Sequence, residues 1–138
     1  MISKIDFSFE STSVNNSTMG MEIITNTDRI DMAEMPLGNS DYSMSVSVPG
    51  TIKIRTYGKG PRDTIIDKAG KILKDKYILL RDLKIDRMRV CDNWLPNGIT
   101  LHTKTGQTVQ SNYWGFDGTV EIKIAPTVFR FLAGTYSR

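Results

Sequence analysis

The chain is poor in the residues that carry most metal and redox chemistry. Its 138 residues hold one cysteine, Cys91, and one histidine, His102. A single cysteine closes no intramolecular disulfide, and one of each residue does not build a Cys/His metal centre. Long apolar runs are missing too. None approaches the ~20 residues that span a bilayer, and the opening MISKIDFSFE lacks the apolar core of a secretory signal. The expectation is therefore no signal peptide and no membrane partner, with a protein made in the cytoplasm that stays soluble or is released only with something larger. A strong charge bias is also absent. The formal charge is +3, and Lys and Arg alternate with Asp through residues 68–89. A nucleic-acid surface usually gathers its basic residues on one face or in one run, so no nucleic-acid partner is expected.

Catalytic signatures are equally scarce. There is no G-x-S-x-G elbow, no H-E-x-x-H and no neighbouring Cys–His pair. Gly58-Lys59-Gly60 has the glycines of a phosphate-binding loop but no helix start after it, and a turn is the favoured reading. Of the aspartates that glycoside hydrolysis would need in pairs, only Asp82 and Asp86 share strand parity. His102, between Leu101 and Thr103, reads as an exposed strand residue. Asp92-Asn93 and Asn97-Gly98 offer oxygen donors for calcium, but turn formation accounts for them better. The chain is expected to be no enzyme, with no cofactor and no bound metal.

What the sequence has in abundance is alternation. Ile5, Phe7 and Phe9 alternate with polar residues, as do Tyr42, Met44, Val46 and Val48 with Ser43, Ser45 and Ser47. Ile52 and Ile54 follow after Pro49-Gly50, and Val120, Ile122 and Ile124 after Asp117-Gly118. Period two is the mark of half-buried strands. Met19–Thr25, Ile99–Thr103 and Gln107–Ser111 read as further strands. Asp67-Lys68-Ala69-Gly70-Lys71 has the composition of a type I turn closed by a left-handed glycine. Residues 77–90 are too long for one regular strand, and a bulge or corner near Asp86-Arg87 would reconcile their two parities. Residues 26–41, with Pro36, Gly38 and several Asn and Asp, read as an irregular insertion, with a helical turn around Asp31–Met35. The whole predicts one all-β domain over residues 1–138, a β-sandwich of jelly-roll type with eight or nine strands.

Two groups of residues are candidates for contact with a partner or a glycan. Trp94, Tyr113 and Trp114 are aromatics near loop ends, where rings stack on sugars or anchor proteins, or equally close the end of a sandwich. Met32, Met35 and Leu37 are apolar residues scattered in the irregular segment. They suit either an adaptable docking surface or packing on their own domain.

Ile52–Ile72, Leu80–Val90 and Asn112–Val120 together resemble small virion-associated proteins of tailed bacteriophages whose domain is similar to a β-sandwich carbohydrate-binding module. The resemblance spans roughly residues 42–124. It implies a structural or assembly component of a virion, in contact with other virion proteins and with copies of itself. The alternative it implies is a carbohydrate-binding module for adhesion. No sugar or calcium ligands transfer residue by residue.

Overall fold

A computed structural model describes residues 2–89, 100–103, 108–110 and 112–124. Every regular element among them is a strand, and every ladder is antiparallel. The chain runs through β1 (Ile2–Ser11), β2 (Gly20–Ile24), β3 (Arg29–Met32), β4 (Gly38–Ser47), β5 (Gly50–Tyr57), β6 (Thr64–Ile66) and β7 (Ile72–Asp75). It continues through β8 (Ile78–Ile85), β9 (Met88–Arg89), β10 (Thr100–Thr103), β11 (Thr108–Gln110), β12 (Tyr113–Trp114) and β13 (Gly118–Ile124). That is thirteen strands among the described residues. The expected eight or nine missed pairings of two to four residues, which are too short to show a period.

One sheet orders its strands β12-β8-β1-β4, with β9 also on β8; the other orders β11-β10-β13-β5-β2-β3. The β6–β7 hairpin stands apart from both. The core lies between the two sheets. Ile5, Phe7 and Phe9 of β1, Met44 and Val46 of β4, and Leu80 and Leu83 of β8 face Met21 and Ile23 of β2, Ile52 and Ile54 of β5, and Val120 and Ile122 of β13 in one buried cluster. Ser43, Ser45 and Ser47 of β4 fall on the opposite, wetter face, as alternation demands.

Two findings concern the segments that lacked a clear period. Residues 26–41 contain no helical turn. Arg29–Met32 pair with β2, Met21 opposite Met32 and Ile24 opposite Arg29, around a turn closed by Thr25 N–H to the Asp28 carbonyl at 2.9 Å. With two apolar residues in four, its alternation was too brief to read. Of the bulge or corner expected near Asp86-Arg87, the structure has the corner. Both residues have positive φ, 49° and 71°, and Met88 folds back opposite Ile85 in a two-residue hairpin. The bulge lies earlier on β8. Ser8 faces Asp82 while Phe9 faces Leu80, so Arg81 is the extra residue. It turns Leu80 and Leu83, an odd distance apart, into the same core.

The hairpin at Asp67–Lys71 forms as expected. Asp67 Oδ1 accepts from the N–H groups of Ala69 and Lys71, both at 2.9 Å, and Gly70 sits at φ 83°. A Cβ there meets nothing within 4 Å, so Gly70→Ala meets only the left-handed backbone penalty. Its expected cost is about 1 kcal/mol, read as a lower urea midpoint. An unchanged midpoint would mean that this hairpin is not part of the cooperative unit.

Candidate functional site

The structure disperses the residues singled out by sequence. On β12, Tyr113 pairs with Leu79 and Trp114 with Ile78, so the two side chains point to opposite faces. Trp114 is fully buried, 6.0 Å from the Phe9 ring. Its place as a partner or glycan contact is corrected: period two on a strand beside β8 turns it into the core. Tyr113 is 38% exposed, its ring 4.5 Å from that of Tyr77. Met35 is also corrected. It is 3% exposed, with its N–H bonded to the Met19 carbonyl at 2.9 Å. Met32 is half-buried against the same core. Leu37 is 69% exposed, just before β4, whereas Tyr113 lies at the β12 edge across the same sheet. Trp94 lies outside the described residues, as do Asp92, Asn93 and Asn97. Nor do Asp82 and Asp86 form a catalytic pair. Asp82 meets Arg89 at 3.2 Å, and Asp86 Oδ1 accepts the Lys4 N–H at 2.8 Å.

What sequence reasoning missed is the outer face of the six-stranded sheet. Outward-facing residues of β3, β2, β5 and β13 meet there because their register aligns them: Asp31 opposite Glu22, Glu22 opposite Arg55, and Arg55 opposite Thr119. The next row sets Ile24 beside Lys53 and Lys53 beside Glu121. Glu22, Ile24, Lys53, Arg55, Thr119 and Glu121 line a shallow groove of about 430 Å³. It adjoins a second of about 390 Å³ lined by Arg55, Tyr57, Asp117 and Thr119. Arg55 belongs to both.

Arg55 is held from two sides. Its Nε lies 3.4 Å from Glu22 Oε1, and its guanidinium carbon sits 4.5 Å above the Tyr57 ring. Arg29 pairs with the other Glu22 oxygen. Beneath, the Tyr57 ring lies so close to Gly20 that a Cβ there would come within 2.3 Å of it. The Tyr57 hydroxyl is 3.2 Å from Asp31 Oδ1 and 3.1 Å from the Met32 carbonyl. Burial first, then the Asp31 hydrogen bond, holds that phenol above its ordinary pKa. Tyr57 is thus a pedestal, and the planar donor fork of Arg55 is what faces outward. Phe116, 57% exposed, adjoins this end, its carbonyl accepting from Thr56 Oγ1 at 2.7 Å. A groove on the opposite sheet, about 280 Å³ and lined by Asp6, Ser8, Asp41, Ser43, Asp82 and Lys84, also reaches Phe7 and Tyr42. Those two belong to the core or pack against it.

A second polar cluster sits where the β6–β7 hairpin joins the sandwich. Lys59 pairs with Asp75, which also accepts from Thr64 Oγ1 at 2.7 Å and from the Tyr113 hydroxyl. Lys76 Nζ reaches the Gly58 carbonyl at 2.8 Å, Ser17 Oγ at 3.0 Å and Asp63 Oδ2 at 3.4 Å. These charges are mostly enclosed and bonded to one another, which suits an anchor better than a ligand site.

No family model matches the chain, and no curated protein matches it in sequence. Two solved structures share its fold. One is the selenomethionine form of vCBM60, from work on two families of calcium-dependent carbohydrate binding modules linked by circular permutation. It has a TM-score of 0.58 and 9% identity, covering 88% of this chain and 91% of that one. The other is vCBM60 in complex with galactobiose, with a TM-score of 0.55 and 11% identity, covering 87% and 97%. The fold is therefore the β-sandwich of carbohydrate-binding modules. Calcium is a separate matter. Among the described residues no three His, Cys, Asp or Glu side chains converge, and the oxygen donors Asp92, Asn93 and Asn97 lie outside them.

Proposed function

We propose that the chain is a non-catalytic carbohydrate-binding module whose ligand lies along the outer groove of the six-stranded sheet. The observation that carries this reading is the likeness of the whole sandwich to carbohydrate-binding modules, at high coverage of both chains. The groove supplies suitable chemistry. Sugar hydroxyls come in adjacent pairs that both donate and accept. The Arg55 fork, the carboxylates of Glu121 and Asp117 and the hydroxyl of Thr119 present matching donors and acceptors on rigid strands. Phe116 offers an exposed ring at one end for stacking.

Galactobiose, the ligand of one structural neighbour, is the first probe, followed by a glycan array. Calorimetry should show binding by the parent chain, and Arg55→Ala should weaken it about tenfold or more, the effect of losing roughly 1.5 kcal/mol of charge-assisted hydrogen bonding. Chelator should leave affinity unchanged. Failure to bind any glycan on the array, or full affinity in Arg55→Ala, would remove this reading or this groove from it.

A second reading is a structural component of a bacteriophage particle that docks on other virion proteins. It is favoured by the aliphatic side chains exposed on the β6–β7 hairpin, which glycan binding does not employ. Mass spectrometry of purified particles tests it directly.

A further inference from the structure

Among the described residues β4 is an edge strand, paired only with β1, and its free side is covered at one end alone. Near Ser47, the Asn26 amide imitates a neighbouring strand: its Oδ1 accepts the Ser47 N–H at 2.8 Å and its Nδ2 donates to the Ser47 carbonyl at 2.9 Å. Thr25 and Thr27 hydroxyls donate to the Ser45 carbonyl at 2.7 and 2.9 Å. These bonds show that odd-numbered residues of β4 turn their backbone groups outward. By the same parity Asn39, Asp41 and Ser43 do so too. All three are exposed, and among the described residues nothing bonds their edge-facing N–H and C=O groups. Asp41 lies on this open stretch and an Asp28 carboxylate oxygen lies 3.4 Å from the Ser45 N–H at its end; the segment leading into β4, residues 28–41, carries Asp28, Asp31, Glu34 and Asp41 against Arg29 alone.

The β6–β7 hairpin is its complement. Among the described residues it is a two-stranded ribbon with both outer edges open, and Ile66, Ile72 and Leu73 are each more than half exposed. Arg62, Lys68, Lys71 and Lys74 surround them. The nearby carboxylates are already engaged, Asp63 by Lys76, Asp75 by Lys59 and Asp67 by its own turn. An isolated two-stranded ribbon is marginal in water, and apolar open edges invite strand addition. Leu37, exposed beside β4, offers the aliphatic hairpin an apolar contact.

We infer that the β6–β7 hairpin of one copy adds to the Asn39–Ser43 edge of β4 in a second copy. Backbone, charge and apolar surface match on both sides. The two surfaces differ, so a contact made once per pair is head-to-tail and propagates into rings or filaments, whereas a reciprocal exchange of hairpins closes a two-fold dimer. This goes beyond glycan binding and does not depend on it.

Sedimentation velocity from micromolar to millimolar concentration tests it. The parent chain should associate progressively, and added salt should weaken the association. Lys71→Glu/Lys74→Glu and Asp41→Lys should each shift association at least about tenfold to higher concentration, because like charges then face each other. An equimolar mixture of the two variants should associate again. Hydrogen exchange at associating concentration should slow at the Asn39, Asp41 and Ser43 amides. A parent chain that stays monomeric throughout overturns the inference. So does association unaffected by either charge reversal, or without protection at those amides. Binding of a monomeric parent chain to anionic phospholipid vesicles through the same lysines would also overturn it, assigning the hairpin to a lipid surface.

Discussion

A Trp114→Ala chain is expected to lose about 3–5 kcal/mol of stability, a large share of the roughly 5–15 kcal/mol typical of a folded domain. The side chain is fully buried and packs near Phe9, which itself stacks on Phe7 at 5.6 Å. Deleting the indole removes its own burial and leaves a cavity that the rigid walls of two sheets collapse into poorly. It also loosens β12, whose two residues are tied to β8 at Tyr113 and Trp114. Urea unfolding measures the loss. Trp114→Phe should retain a good part of the stability because it keeps an aromatic ring in the site. A cost below about 1 kcal/mol for the alanine variant would mean that the residue is not in the core.

Asp75→Ala should cost roughly 3 kcal/mol, the scale for removing one partner of an enclosed ion pair. The Asp75 carboxylate is 13% exposed and its Lys59 partner 12%. The substitution strands that ammonium and frees the hydroxyls of Thr64 and Tyr113. A pH signature accompanies it. Burial by itself would raise the Asp75 pKa, but hydrogen bonds from Lys59, Tyr113 and Thr64 together outweigh it, and the carboxyl sits below its ordinary value. Asp63 is lowered too, chiefly by the Gly60 N–H and then by Lys76. In both cases the folded state holds its proton less tightly than the unfolded chain. The stability they contribute is therefore complete above the unfolded pKa, about 3.9, and disappears as pH falls through the lower folded values. Thermal melts from pH 7 down to pH 3 should show the parent chain losing stability below about pH 4. Asp75→Ala should start lower and fall less steeply over the same range. Parallel curves would show that Asp75 is not ionised against Lys59 in the folded state.

Much of the fold was legible because a half-buried strand writes its two faces into alternate residues. Ile5-Phe7-Phe9, Met44-Val46-Val48, Ile52-Ile54 and Val120-Ile122-Ile124 each name a strand and its inward face, and all of them are buried. Asp67 and Gly70 name their turn equally well, since each has a side-chain or backbone property that the turn requires. Where the period was short or broken, legibility failed. β3 shows two apolar residues in four, and the extra residue Arg81 on β8 reverses parity in mid-strand.

The candidate groove was not legible at all. Glu22, Arg55 and Thr119 are each an unremarkable outward residue of their strands. Only the order β13-β5-β2 and its register put them in one row. The sequence by itself determined the class of architecture, all-β and two-faced, because burial of alternating side chains is a local property of each strand. Tertiary structure alone decided which strands became neighbours, which of them stayed at an open edge, and that Trp114 and Met35 went inward while Arg55 was propped outward on Tyr57. Those outcomes depend on pairing between segments far apart in the chain, and a period of two carries no information about which strand lies alongside which.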